Sequence, residues 1–370
     1  TNGVGIGTVN NRVDIRGVVV RDNVVRQIRN PTGGYGGIFV DACTDCLVEG
    51  NTVEEASRSR GIFVPGAVQT VVRDNIIRKA GGTSLTCYGC TDTQFVHNEI
   101  RDGTGTHANG ITVYLDSHNV TIDGNTVINS NISLTMQASS DLTVINNVFY
   151  GGGAGYLVAD WGGLSGSIRL LNNTILNSEN DASVLFGDDG ATYELKNNIL
   201  EGGGGGDRSH NIYTALTWNQ DPGNGWDFAE GESLVEDLST LFVDPDNLDF
   251  HLRADAPAVD SGTIVEVATD LDGYPRPNGA SYDIGAHEYY DEPPGTGGSG
   301  GASGTGGASS GASGPALDAP GDDGGCGCRL ERATTSSTGW LLALLVAGMV
   351  SRRLCSWPMR PPAPAVPACG

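Results

Sequence analysis

The chain is poor in several of the things that would make it an ordinary globule. Aromatic residues make up 6% of its 370 positions and methionine only 3 of them. Basic residues are scarce, 21 against 44 acidic ones, giving a net charge of −23. A surface of that sign repels phosphate backbones and anionic lipid, so nucleic acid is excluded as a partner and a membrane surface is disfavoured. No stretch of ten or more residues carries a helical period. The longest apolar run, 340–350, would rise only about 16 Å as a helix, short of a hydrocarbon core of about 30 Å. P-loop, H-E-x-x-H, G-x-S-x-G and EF-hand patterns are also missing, which removes the nucleotide, metalloprotease and serine-hydrolase classes. The chain opens without Met or a basic-then-apolar leader and reads as a fragment or processed form.

Glycine is abundant, 56 residues, and much of it is spread through a repeat. A motif of alternating apolar residues followed by Asn recurs at Asn23, Asn51, Asn75, Asn98, Asn125, Asn147, Asn173 and Asn198, at spacings of 28, 24, 23, 27, 22, 26 and 25. About a dozen residues before most of these lies a second alternation, as in Gly61-Ile62-Phe63-Val64 and Gly110-Ile111-Thr112-Val113. Short period-2 pieces divided by Gly, Asn and Asp are strands and turns, and a 25-residue period without helices predicts a parallel β-solenoid. The crossover rule makes it right-handed. Asn51, Asn75, Asn98, Asn125, Asn147, Asn173 and Asn198 are expected to stack in one column, each tolerating the left-handed turn and bonding to its copies through its amide.

These repeats resemble the right-handed parallel β-helix superfamily, the pectate-lyase-like proteins, over about residues 3–200. The expected fold is therefore all-β, a right-handed parallel β-helix of about eight or more coils over 1–239. Residues 240–293 are similar to a closing segment of secreted bacterial β-helix proteins, through Asp270-Leu271-Asp272-Gly273-Tyr274-Pro275-Arg276 and Asp283-Ile284-Gly285-Ala286-His287-Glu288. A β cap over an open strand edge is the physical need it would meet. Asp270 and Asp272, with Asp283 and Glu288, are candidate Ca²⁺ ligands, set against turn bonding and an Arg276–carboxylate pair. Residues 294–325 read as a disordered Gly/Ser-rich linker. Residues 326–370 resemble the myxobacterial C-terminal sorting tail, with Cys326-Gly327-Cys328, the short apolar run and Arg352-Arg353, but continue past the arginines to Cys369. That resemblance implies a secreted, surface-displayed chain touching a membrane only through this tail, and the chain is expected to be a monomer.

Two C-x-x-C pairs, Cys43/Cys46 and Cys87/Cys90, invite a zinc reading. Register places Ala67 between Cys43 and Cys90 in one column, so two coils, about 9.6 Å, separate the pairs. Local disulfides or buried thiols are expected instead.

Alternation turns Phe39, Phe63, Tyr88 and Tyr114 outward, with Tyr88 and Tyr114 on adjacent coils as a stripe fit for a sugar face. Arg58, Arg60, Lys79, Arg101 and His107 lie in the segments leading into these strands. In the polysaccharide lyases of the resembling superfamily, substrate lies along such a face, cations neutralise a uronate carboxylate and a base removes the neighbouring carbon-bound proton. The resemblance thus implies His107, Tyr88 or Tyr114 as base and Arg101, Arg60 or Lys79 as neutralisers, with Arg58, Arg60, Tyr88 and Phe63 binding substrate and Asp116 holding Ca²⁺. Clustered carboxylates of a two-acid hydrolase are absent from this face. Two readings follow: a protein binding an acidic polysaccharide, with a uronate lyase or C5-epimerase needing no cofactor as its catalytic form, and a non-catalytic glycan-binding or adhesive surface protein.

Overall fold

The computed structural model describes residues 15–28, 36–57, 59–105, 107–153, 156–178, 183–187, 190–217, 220 and 226–292. Arg58, the linker and the sorting-like tail lie outside the described residues. Three short strands make each coil, as in Leu85–Tyr88, Gln94–Val96 and Glu99–Arg101. Stacked coils give three parallel sheets of 7, 9 and 10 strands, termed here the first, second and third sheets in the order in which this coil meets them. The stack amounts to a solenoid of about eight turns.

Alternation dictates what fills it. Ile62, Leu85, Ile111 and Leu134 point inward from the first sheet, Val72, Phe95, Ile122 and Val144 from the second, and Ile77, Ile100 and Val127 from the third; all are fully buried. In-register pairing, such as Leu85 with Ile111 and Phe95 with Ile122, sets like on like, so each coil buries the apolar column of the next.

The asparagine column stands at the corner between the second and third sheets. Asn75 donates from its backbone N (3.1 Å) and Nδ2 (2.9 Å) to Oδ1 of Asn98, and Nδ2 also reaches the carbonyls of Val48 and Arg73. The same pattern runs from Asn23 at one end to Asn211 at the other. One part of the expectation is corrected. The left-handed residue is not the ladder Asn but the one before it: Asp22, Gly50, Asp74, His97, Gly124, Asn146, Asn172, Asn197 and His210 all have φ between 50° and 63°. The ladder amide must be extended into the interior to reach its neighbour, so the turn strain falls one residue earlier.

Cys43–Cys46 and Cys87–Cys90 form two local disulfides, with Cα atoms 6.0 Å apart in each. Bridges of Thr44 to Val68 and Val68 to Thr91 put Ala67 in register between Cys43 and Cys90, keeping the pairs two coils apart.

After Ser233–Leu234 the chain leaves the stack. Its closing segment carries an antiparallel hairpin, Phe242–Asp244 with Asp249–Leu252, and packs on the flank of the solenoid. Leu241, Phe242, Phe250, Leu252, Ala258 and Ile284 bury the outward side chains Ile128, Val148, Leu176, Ile199 and Ile212 of the third sheet. Among the described residues no helix is long and apolar enough to cross a membrane.

Candidate functional site

On the outside of the first sheet, the loops that arrive from the third sheet overhang the strands and leave a cleft of about 290 Å³. It is lined by Ser59, Arg60, Gly82, Thr83, Tyr88, His107, Asn109, Thr112 and Tyr114. Four of the sequence candidates, Arg60, Tyr88, His107 and Tyr114, therefore meet. Arg60 opens the strand Arg60–Phe63; its guanidinium lies 4.5 Å from the centroid of the Phe63 ring and 5.2 Å from that of Tyr88. Its Nη2 also donates to the Tyr88 hydroxyl at 3.2 Å. Phe63 thus acts as a platform for the arginine. His107 sits exposed in the overhanging loop.

The aromatic stripe is organised differently from the flat sugar platform expected. Tyr88 and Tyr114 are in register on adjacent strands, and their rings are parallel within 3° at 5.9 Å. Phe63 meets Tyr88 edge-on at 5.2 Å on the other side. Tyr88 and Tyr114 thus spend one ring face each on the other, as in-register stacking of like residues demands. Burial pushes the Tyr114 phenol above its ordinary pKa, which keeps its proton on and suits a donor, not the base suggested by the sequence. Among the described residues no carboxylate lines this cleft.

Other candidates are placed elsewhere. Lys79 is an exposed left-handed corner residue, φ 55°, whose backbone N donates to Arg101 O, and it does not line the cleft. Arg101 is not a loop residue: it ends the third-sheet strand Glu99–Arg101. There its Nε bonds Glu99 at 2.8 Å, while Arg78 bonds the same carboxylate at 2.9 Å. Burial raises the Glu99 carboxyl, but those two guanidinium bonds outweigh it and hold the group below the usual range. Arg101 is thereby committed to an ion-pair row, on a different sheet from Tyr114. Asp116, φ 60°, lies past the end of the first sheet in a separate hollow with Ser117, His118 and Ser140.

The four carboxylates of the closing segment do not assemble into one oxygen site. Asp270 accepts from the backbone N of Asp272, Tyr274 and Glu288. Asp283 accepts from the backbone N of Asp260 and Tyr289, and Glu288 is ion-paired to fully buried Arg276 at 2.6 Å. Asp272 alone faces outward, between two imidazoles: Oδ2 is 3.0 Å from His251 Nε2 and 3.1 Å from His287 Nδ1. Those hydrogen bonds lower the Asp272 carboxyl and, led by the Asp272 contact, raise His251 to about 9. Sequence reasoning missed both histidines, which are 36 residues apart in number and join only when the hairpin folds back on the 270–288 loop.

Residues 36–200 match the family model described as a right handed beta helix region. The crystal structure of pectate lyase Pel9A is similar to this chain with a TM-score of 0.49 and 12% identity, covering 78% of each chain. A search of curated proteins finds no match.

Proposed function

We propose that the first-sheet cleft binds an acidic polysaccharide outside the cell. The observation that carries this reading is charge placement: in a chain of net charge −23, the described residues lining the cleft include Arg60 and His107 and no carboxylate. A guanidinium in a cleft that is also lined by the hydroxyl- and amide-bearing Ser59, Thr83, Tyr88, Asn109, Thr112 and Tyr114 suits a uronate, whose carboxylate would pair with the cation while its hydroxyls bond the neutral groups. Coils rise about 4.8 Å each, close to the repeat of an extended sugar chain, so the polymer would lie along the stack. The two local disulfides fit the oxidising compartment that secretion or surface display supplies.

His107 favours a second reading, uronate elimination. Its imidazole would take the proton from the carbon beside the carboxylate, Arg60 would hold the charge that develops, and the released electron pair would form the double bond as the glycosidic oxygen departs. Tyr114, kept protonated by burial, would supply that oxygen with its proton.

Calorimetry with polygalacturonate, alginate and a neutral glucan tests binding. The uronate polymers should bind, more weakly at high salt. Arg60→Ala should weaken them about 10-fold, the loss of one charge-assisted contact of roughly 1.4 kcal/mol, whereas Arg101→Ala should leave affinity unchanged. Equal, salt-insensitive binding of the neutral glucan would count against the proposal. Ultraviolet absorbance from unsaturated products, lost in His107→Ala, would establish the elimination reading; binding without it leaves a binding role.

A further inference from the structure

We propose that His251, Asp272 and His287 form a site for one divalent transition-metal ion, with Zn²⁺ as the type, on the closing segment. One ligand atom from each residue lies within 4.8 Å of the other two. His251 comes from the hairpin strand Asp249–Leu252, Asp272 from the turn after Asp270 and His287 from the segment after Asp283, so the three donors arrive on separate stretches of backbone. Both imidazole nitrogens aim at the same carboxylate oxygen, at 3.0 and 3.1 Å. In a tetrahedral zinc site with bonds of about 2.0–2.2 Å, neighbouring ligand atoms stand roughly 3.4 Å apart. An ion therefore replaces the shared protons with shifts of a few tenths of an ångström at the two carboxylate contacts.

Two further features belong to a metal centre more than to a surface ion pair. Asp249 Oδ1 lies 2.6 Å from Nδ1 of His251 and holds a proton there, so that Nε2, which otherwise donates its proton to Asp272, is the nitrogen that gives up that proton and turns its lone pair to an ion. The site is also part closed and part open, His251 and Asp272 being exposed and His287 buried. His287 is 6% exposed, whereas His251 is half exposed and, with His287, lines a cleft of about 310 Å³ between the hairpin and the third sheet. Three protein ligands with room beside them leave positions for water or an exchangeable ligand. Two nitrogen donors of three argue against Ca²⁺, which takes oxygen, and so redirect the cation expected at Asp272.

The full-length chain titrated with Co²⁺ should develop visible d–d absorption that saturates at one equivalent and is abolished by Zn²⁺, with a rise in melting temperature. His251→Gln and His287→Gln, each checked for a native circular dichroism spectrum, should lose the absorption. Asp249→Asn, which releases only the orientation of His251, should keep it with affinity lowered about 10-fold. His251→Gln keeps the test secure against misfolding because that side chain is half exposed. Absence of the absorption at one equivalent, or its survival in both histidine variants, would overturn the site.

Discussion

Asn98 shows how one residue type holds the stack. Fully buried, it accepts from Asn75 N and Nδ2, and donates to Asn125 Oδ1 and the carbonyl of Val72. Asn98→Ala leaves the backbone N of buried Asn75 without its partner and removes the amide donor to the Val72 carbonyl, and should cost about 1–3 kcal/mol, read as a lower denaturation midpoint. An unchanged midpoint would show the ladder to be ornamental. The column could be seen in the sequence because a single chemistry returns every 25 residues or so. Its turn conformation could not, since Asp, Gly, His and Asn alternate at the preceding position and periodicity carries no φ. Nor could its end. Glu232, its side chain fully buried, accepts from Asn211 Nδ2, Tyr213 Oη, Arg208 Nε and Ala229 N, closing the ladder where no further Asn follows.

At the scale of the strand, the third sheet changes character along its length. Its outward residues begin as Arg26, Glu54, Arg78, Glu99 and Arg101, linked in ion pairs, and become Ile128, Val148, Leu176, Ile199 and Ile212. The closing segment covers the apolar half only. The corner side chains there are Asn146, Asn172 and Asn197, whose Nδ2 groups donate to the carbonyls of Thr269, Asp283 and Thr263. Inside the segment, Arg276 bonds Glu288 and the carbonyls of Asp283 and Gly285 with no exposure of either charged side chain. Arg276→Met leaves Glu288 charged and unpaired, and should destabilise this segment by about 3–5 kcal/mol, with Glu288→Gln in the same chain restoring part of it. Limited proteolysis and calorimetric unfolding would report both. If Arg276→Met unfolds at the parent temperature, the pair has no structural weight.

The third sheet also explains what the sequence hid. Its strands Thr52–Glu54, Ile76–Arg78 and Glu99–Arg101 each bury one residue, Val53, Ile77 or Ile100, so no apolar alternation marks them out. Arg101 therefore reads as a loop residue although it is a strand end. The first sheet, with two inward residues per strand, shows its alternation plainly, and Tyr88, Tyr114 and Arg60 are legible for that reason. Loop-borne His107 joined them only through the fold, and the His251–Asp272–His287 group depends on contacts between segments that no local pattern encodes.

Over the molecule as a whole, charge separates the cleft from the rest of the surface. The chain carries −23, and an acidic polymer would be repelled by most of its surface, so binding has to be local and salt-dependent. Polymer held elsewhere, on the ion-pair row of the third sheet or in the hollow beside His118, would leave the first-sheet cleft idle. Hydrogen–deuterium exchange with saturating polygalacturonate distinguishes these places directly. Protection is expected in peptides covering 59–63, 82–88 and 107–114, removed by high salt and needing about 10-fold more polymer in Arg60→Ala. Protection confined to 94–101 or 118–123, or none at polymer concentrations where calorimetry shows binding, would contradict the assignment of the cleft.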